Sequence, residues 1–212
     1  MTRKGCVVMS NKYVIAVSRQ YGSGGHEIGR KLAEKLGIKF YDKELLAKIS
    51  QDSGMSKSLI EYYDEMPSKS FLFSLAMDAY PMSFTEVPIN QKVFQAQVET
   101  IKKIADEGSC VIIGRCADTI LSETPNLISV FVHADMDSKI ARVKERDGLS
   151  EDKARDVIIR TDKKRASFYN YYSLDKRWGE VQSYDIAINS GKLGIDNSVE
   201  FLYQYVKLRN LA

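Results

Sequence analysis

The chain has 212 residues, of which 44% are hydrophobic and 28% are charged, enough for one α/β domain with an ordinary core and a small inserted cap. Its formal net charge of +3 is too small to indicate nucleic-acid binding, and no apolar run approaches the length of about 18 residues that predicts a membrane span. Three cysteines without metal-binding spacing, and no signal peptide, favour a cytoplasmic protein.

The beginning of the chain predicts a buried strand, a glycine-rich turn and an amphipathic helix. Tyr13–Val17 is a short apolar run, and residues 28–36 place their apolar side chains on one helical face. The turn reads Gly22-Ser23-Gly24-Gly25. Because glycine carries no Cβ, successive N–H groups there can converge on a phosphate at the positive end of the helix. The predicted phosphate-binding residues are Arg19, Gly22, Ser23, Gly24, Gly25, His26 and Glu27.

The turn departs from the phosphate-loop pattern of glycine, four residues, glycine, lysine, and serine or threonine. With Gly24 as the second glycine, Gly25 takes the lysine position and His26 the hydroxyl position. A shift by one residue puts His26 at the lysine position and Glu27 at the hydroxyl position. Neither register supplies the lysine, so another cation must neutralise the phosphates, and Arg19 is nearest. We expect Gly24→Val to block the phosphate and leave the fold intact.

Two other interpretations of the turn remain open. One is a glycine-rich connection that binds nothing. The other is a dinucleotide-binding turn of an NAD-dependent oxidoreductase, because Asp42 follows about 20 residues later, where a ribose-binding carboxylate would lie. The third glycine of that fingerprint is replaced by Glu27, which disfavours this alternative.

The rest of the chain alternates between apolar strands and helices. Residues 1–12 are predicted as a flexible tail and 13–212 as a single domain. Residues 51–88, which contain three prolines, are predicted as a mostly helical cap. Further strands are predicted at 38–41, 110–113, 127–133 and 184–188, and helices at 43–50, 88–107, 136–146 and about 197–208. This alternation predicts an α/β fold with three layers, a five-stranded parallel sheet between two layers of helices.

Basic residues interleaved with acids fill residues 142–165. For most of them this pattern is typical of a solvated helical hairpin. Arg160, Asp162 and Arg165 stand apart, because they cluster just before the aromatic residues 168–172. We predict a lid over about 142–172 that carries these arginines onto a transferring phosphate.

The order of these parts resembles that of the nucleoside monophosphate kinases, specifically the cytidylate kinase-like group of P-loop proteins, over about residues 13–208. The strand and glycine loop match, and Asp42 matches the aspartate that ends the second strand of that family. Gly114-Arg115 resembles its Gly-Arg-Asp, with the acid displaced to Asp118, and residues 162–165 resemble the lid's Asp-x-x-Arg. The loop lysine, the hydroxyl beside it and the Thr-Gly after Asp42 are missing.

The resemblance implies an enzyme that transfers the γ-phosphoryl group of ATP to a (deoxy)CMP-like acceptor, with Mg²⁺ bridging the donor phosphates. Its partners would be small-molecule nucleotides, and no protein side chain is assigned to the metal. The expected catalytic residues are Arg160, Asp162 and Arg165, and the expected acceptor-binding residues are Asp42, Arg115 and Asp118. A nucleotide sensor that keeps the amide groups and has lost turnover is the alternative that the missing lysine favours.

Overall fold

The centre of the molecule is a five-stranded, all-parallel sheet in the order β2-β3-β1-β4-β5. The structure is a computed structural model and describes residues 12–65 and 87–211. The predicted tail, apart from residue 12, and residues 66–86 of the predicted cap therefore lie outside the described residues. The strands are β1 (Val14–Arg19), β2 (Lys39–Tyr41), β3 (Cys110–Ile113), β4 (Leu127–His133) and β5 (Ile186–Asn189).

Helices cover both faces of this sheet, which confirms the predicted fold class. They are α1 (Gly25–Leu36), α2 (Lys43–Ser53), α3 (Lys57–Tyr63), α4 (Ile89–Glu107), α5 (Ala117–Ile120), α6 (Met136–Asp147), α7 (Glu151–Tyr172), α8 (Ser190–Leu193) and α9 (Ile195–Leu208). A 3₁₀ turn spans Val181–Ser183. No helix of the described residues is long and apolar enough to span a membrane.

The central strand β1 is apolar on both sides because both sides are covered. Ile15 and Val17 pack into a core that includes Leu32 of α1 and Leu202 of α9. On the opposite face, β1 packs against a second core formed with α2, α3 and α4. Strands of a parallel sheet that is buried on both faces have continuous hydrophobic sequences. The strand positions could therefore be predicted.

Several element boundaries differ from the prediction, most clearly those of β1 and β5. Strand β1 continues to Arg19, because Ser18 and Arg19 pair with β4 beyond the apolar run. Strand β5 begins at Ile186 rather than at residue 184, because the Asp185 carboxylate accepts hydrogen bonds from the amide and the hydroxyl of Ser129, at 2.7 and 2.9 Å. The predicted last helix is preceded by the short α8, which begins where a turn was expected.

Helices α6 and α7 form the predicted basic hairpin, joined at Gly148, whose φ is +66°. Ile140 and Val143 of α6 pack against Ala154 and Ile158 of α7 in a small core of their own. Further along, α7 places Phe168 and Tyr169 in an aromatic cluster beside β4. One continuous helix of 22 residues therefore runs from the hairpin to the aromatic cluster beside β4.

Burial of the central strand should dominate stability. Ile15→Ala removes a side chain that is fully buried in β1 and should lower the free energy of unfolding by about 2–5 kcal/mol. Ile159→Ala is the matched control, because Ile159 of α7 is 52% exposed and alanine favours helix. Urea unfolding of both variants checks this; equal losses would mean that the described core is wrong.

Candidate functional site

A cavity of about 780 Å³ opens at the carboxyl edge of the sheet, where ligands of open α/β sheets bind. It is formed by the glycine loop after β1, the beginning of α2, and residues of α6 and α7. Its lining residues are Arg19, Gln20, Tyr21, Gly22, Gly24, Gly25, His26, Glu27, Asp42, Lys43, Arg142, Glu145, Arg146, Asp147 and Arg165. Six of the seven predicted phosphate-binding residues are among them.

The seventh, Ser23, is 1% exposed and holds the loop in shape from behind. Its hydroxyl donates to the carbonyl oxygen of Gln20 at 2.8 Å, and its own carbonyl accepts from the Ser190 hydroxyl at 2.5 Å. Gly22 and Gly24 on either side of it have φ values of +79° and +77°, in the left-handed region that favours glycine. Ser23 therefore positions the loop and does not line the cavity.

The loop presents backbone donors without protein acceptors. Among the described residues, the amides of Gly22, Gly24, His26 and Glu27 make no hydrogen bond to the protein. The last two belong to the first turn of α1, where intrahelical acceptors are lacking and the helix dipole is positive. Such a group of amides at a helix N-terminus is an anion-binding arrangement.

Glycine is also required at positions 24 and 25, by backbone conformation at Gly24 and by packing at Gly25. A Cβ at Gly24 would overlap Cδ1 of Ile195, and β-branched residues avoid its positive φ. The expectation that Gly24→Val leaves the fold intact is therefore corrected: the valine would strain the loop itself. A Cβ at Gly25, the lysine position, would come within 2.5 Å of Cβ of Arg19. The side chain of Arg19 thus fills the space beside the missing lysine.

Arg19 and Arg165 form a pair of neighbouring cations at the cavity. Nη1 of Arg19 lies 2.7 Å from Oε1 of Glu65, and Nε of Arg165 lies 3.5 Å from Oε2 of the same carboxylate. Arg165 also donates from Nη1 to the carbonyl oxygen of Arg19 at 3.1 Å. Burial, and then the charge of Arg19, lower the pKa of Arg165 to about 10. Burial would raise the pKa of Glu65, but the nearby arginines outweigh it and lower that pKa.

Two further cavity arginines, Arg142 and Arg146 of α6, were assigned by sequence reasoning to the solvated hairpin. Nη1 of Arg142 lies 3.7 Å from Oε2 of Glu27. Arg146 donates from Nη2 to the Tyr21 hydroxyl at 2.6 Å and lies 4.9 Å from the centre of that ring. Their i,i+4 spacing, which puts both on one helical face, is the signal that could have singled them out.

The three predicted catalytic residues are not brought together. Arg165 lines the cavity, whereas Arg160 is exposed and does not. The two differ by five residues, which turns them about 140° apart around one helix. Asp162 fastens the loop instead: Oδ1 accepts the Tyr21 amide at 2.6 Å, and Oδ2 accepts Nζ of the buried Lys139 at 3.2 Å. The expected catalytic cluster is therefore corrected. Arg165 alone of the three lines the cavity, Asp162 fixes the loop, and Arg160 does neither.

Of the three predicted acceptor-binding residues, only Asp42 lines the cavity. The Arg115 guanidinium is enclosed: Nε and Nη2 donate to the two carboxylate oxygens of Asp64 at 2.9 and 3.0 Å, and Nη1 donates to Asp42 at 3.2 Å. Burial would lower the pKa of Arg115, but these carboxylates raise it, so the side chain stays charged. The backbone there is unusual, since Arg115 and Cys116 both have positive φ values, +54° and +56°.

Asp118 lies deeper still. It is 2% exposed, accepts the Tyr169 hydroxyl at 2.6 Å, and approaches Nζ of Lys176 at 3.7 Å. Burial raises its pKa. Asp118 therefore anchors α7 to the turn after β3.

His26 lies at the surface, and its Nε2 is 3.1 Å from Oδ2 of Asp42.

The model of the cytidylate kinase-like family matches residues 14–192. The chain belongs to the cytidylate kinase-like family. Within the described residues, no group of three or more His, Cys, Asp or Glu side chains could hold a metal ion on its own.

Two curated relatives are cytidylate kinases whose sequence identity to this chain is low. The cytidylate kinase of Pyrococcus horikoshii is 26% identical over 184 residues, covering 86% of this chain and 82% of the relative. That of Staphylothermus marinus is 23% identical over 196 residues, covering 92% and 96%.

Solved structures agree on the fold. A crystal structure of an uncharacterized protein from Eubacterium ventriosum is 32% identical, with a TM-score of 0.70 over 92% of this chain and 99% of the other. Shikimate kinase from Bacteroides thetaiotaomicron shares the fold, at 19% identity and a TM-score of 0.51 over 92% of this chain and 98% of the other.

The strand order of this chain, β2-β3-β1-β4-β5, differs from the 3-2-1-4-5-6 order of dinucleotide-binding sheets. The NAD alternative is therefore not favoured.

Removing the Arg115 guanidinium should destabilise the fold. Arg115→Ala leaves the carboxylates of Asp64 and Asp42 without their buried partner, which should lower the free energy of unfolding by about 3–5 kcal/mol. Arg155→Ala, an exposed arginine of α7, is the control.

The loss should depend on pH. Burial already raises the pKa of Asp64 above its ordinary value. Without Arg115 the folded variant therefore holds a proton more tightly than the unfolded chain, and the loss shrinks as pH falls through the folded-state pKa. Denaturant unfolding between pH 7 and pH 5 measures this; a loss of stability that stays constant would contradict the buried-pair account.

Proposed function

We propose that the chain is an ATP-dependent phosphotransferase that moves the γ-phosphoryl group of ATP to a (deoxy)CMP-like acceptor. The observation that supports this most is one cavity where a group of cations lies beside loop amides that have no acceptor in the described part of the chain. The cations lining it are Arg19, Lys43, Arg142, Arg146 and Arg165. Its family membership and its kinase relatives agree with this proposal.

In this proposal the glycine loop holds the donor phosphates. The amides of Gly22, Gly24, His26 and Glu27, which have no acceptor among the described residues, donate hydrogen bonds to phosphate oxygens, favoured by the positive end of α1. Arg142 extends from α6 into the same cavity and supplies charge that the loop lysine would otherwise give. Arginine suits this role because its planar guanidinium binds phosphate through two parallel hydrogen bonds.

The protein offers no magnesium site of its own, because within the described residues no group of three or more His, Cys, Asp or Glu side chains could hold the ion. A magnesium ion would therefore be held by phosphate oxygens of the nucleotide and by water. When bound, the ion neutralises charge on the donor phosphates. The protein places its own cations around the phosphates. Hydrogen bonds from the loop to Asp162 and Ser190 keep the loop rigid.

The transferring group would lie near Arg165 and Arg19. Phosphoryl transfer depends on positioning and on neutralising charge on the transferring oxygens, so it needs no nucleophilic side chain from the protein. Lys43, at the beginning of α2, is the cavity cation nearest in sequence to Asp42 and would bind the acceptor phosphate. Asp42 would accept hydrogen bonds from the acceptor nucleoside, held in place by Arg115, while Asp118 acts only by anchoring α7.

A catalytically weak nucleotide sensor is the second candidate, and the missing loop lysine favours it. Such a protein would keep the amides and the arginines and bind ATP without acceptor-dependent turnover. Binding and turnover measured on the same preparation separate the two functions.

Cavity arginines should matter for turnover, and exposed ones should not. Arg165→Ala and Arg142→Ala should each lower the rate of ADP release by about 10²–10³-fold, the usual effect of losing a preorganised charge donor. Arg160→Ala and Arg155→Ala, both exposed on α7, should keep the wild-type rate. The assay supplies ATP, Mg²⁺ and each nucleoside monophosphate in turn.

Two results would count against the proposal. ATP binding by wild type without acceptor-dependent ADP release would favour the sensor. Full activity in Arg165→Ala together with loss in Arg160→Ala would restore the sequence-based assignment of the lid.

A further inference from the structure

The carboxylate of Glu65 bridges the two arginines that the proposed function places on the transferring phosphate. Its oxygens lie 2.7 Å from Nη1 of Arg19 and 3.5 Å from Nε of Arg165. Among the described residues, Nε of Arg165 is a buried donor without a hydrogen-bond acceptor, so this carboxylate holds it by charge. Nothing in the local sequence around Glu65 indicates such a role.

Glu65 reaches these arginines from outside the cavity. Arg19 and Arg165 both line the cavity, whereas Glu65 does not, and its side chain is only 14% exposed. Each guanidinium carries five N–H donors, so one face can bind the carboxylate while the other donors remain for an anion. The carboxylate therefore supports the arginines without occupying the place of a phosphate.

Such support is needed because the two cations repel each other. The charge of Arg19 contributes to the lowered pKa of Arg165, after burial. A carboxylate between two largely buried guanidiniums offsets this repulsion and fixes their spacing. Without it, the long side chains would separate or take up other partners, and both have several rotatable bonds to do so.

The backbone at two positions accommodates this contact. Glu65 has a φ of +51°, in the left-handed region that non-glycine residues rarely adopt. Gly114, at the end of β3, leaves room for the pair, since a Cβ there would overlap Nη1 of Arg19 and lie 2.5 Å from Oε1 of Glu65. Two separate positions of the chain thus accommodate one ion pair.

We propose that Glu65 is a positioning residue for phosphoryl transfer, which holds Arg19 and Arg165 side by side at the cavity so that both bind the transferring group. This role rests on the proposed function. The competing role, an internal carboxylate that blocks the anion site, predicts the opposite effect of removing its charge.

Glu65→Gln removes the charge and keeps the shape. The expected result is a fall in kcat of about 10²-fold, the scale for misplacing a catalytic group by about 1 Å, with a smaller change in KM for the acceptor. Glu65→Asp, which keeps the charge on a shorter side chain, should recover part of the rate. Glu61→Gln, at an exposed residue of α3 four positions before Glu65, is the control for removing a charge from this part of the chain.

Binding of inorganic triphosphate, measured by calorimetry without any acceptor, tests the arginines apart from turnover. The matched variant is Glu145→Gln, which removes a negative charge from an exposed residue that lines the cavity. Long-range electrostatics alone would tighten anion binding in both variants. Positioning predicts that Glu65→Gln binds triphosphate about tenfold more weakly than wild type, whereas Glu145→Gln binds as tightly or more tightly.

The outcomes separate the possibilities. Wild-type kcat in Glu65→Gln, or triphosphate binding as tight as in Glu145→Gln, would overturn the positioning role, and tighter binding with a raised rate would show a blocking carboxylate instead. If wild type binds triphosphate but transfers nothing, the proposed function fails and Glu65 is judged on the triphosphate result alone. If Glu65→Gln does not fold, Glu65→Asp against wild type provides the same comparison of rate and binding.

Discussion

Buried arginine–carboxylate pairs at the carboxyl edge of the sheet hold the site together. Arg115 joins the ends of β2, β3 and α3 through Asp42 and Asp64, and Arg19 joins the loop to the same end of α3 through Glu65. Charges removed from water are tolerated only when their partners are close and well oriented, and removing one partner is strongly destabilising. The positions of the glycine loop, two strand ends and α3 are therefore interdependent.

In the proposed function, a glycine loop without its lysine can bind an anion because the amides and the positive charge come from separate parts of the chain. The loop supplies amides, which depend only on backbone shape, and the shape is fixed by Ser23, Ser190 and Asp162. Positive charge comes from α6 and α7, as Arg142, Arg146 and Arg165. Because these cations stand on the basic hairpin, movement of the hairpin would change the charge around a bound phosphate while the amides stay in place.

The sequence predicted the parallel sheet well, because strands buried on both faces are continuous apolar runs and the helices between them are amphipathic. The sequence also identified most of the loop residues that line the cavity, because clustered glycines at the beginning of a helix are a local signal. It could not place Arg115, whose partner Asp64 lies 51 positions away and carries no pattern of its own. It grouped Arg160 with Arg165 by closeness in sequence, although a helix turns them to different sides. Arg142 and Arg146 were not singled out, because the sequence around them contains many other charged residues.

In the proposed function, the amides of the loop hold a donor triphosphate and the hairpin arginines neutralise it. A crystal structure with a non-hydrolysable ATP analogue, Mg²⁺ and CMP tests this most directly. The account predicts phosphate oxygens within hydrogen-bond distance of the amides of Gly22, Gly24, His26 and Glu27, with the Arg165 guanidinium on the terminal phosphate. A triphosphate bound away from the loop, or one on the loop that neither Arg142 nor Arg165 contacts, would contradict it.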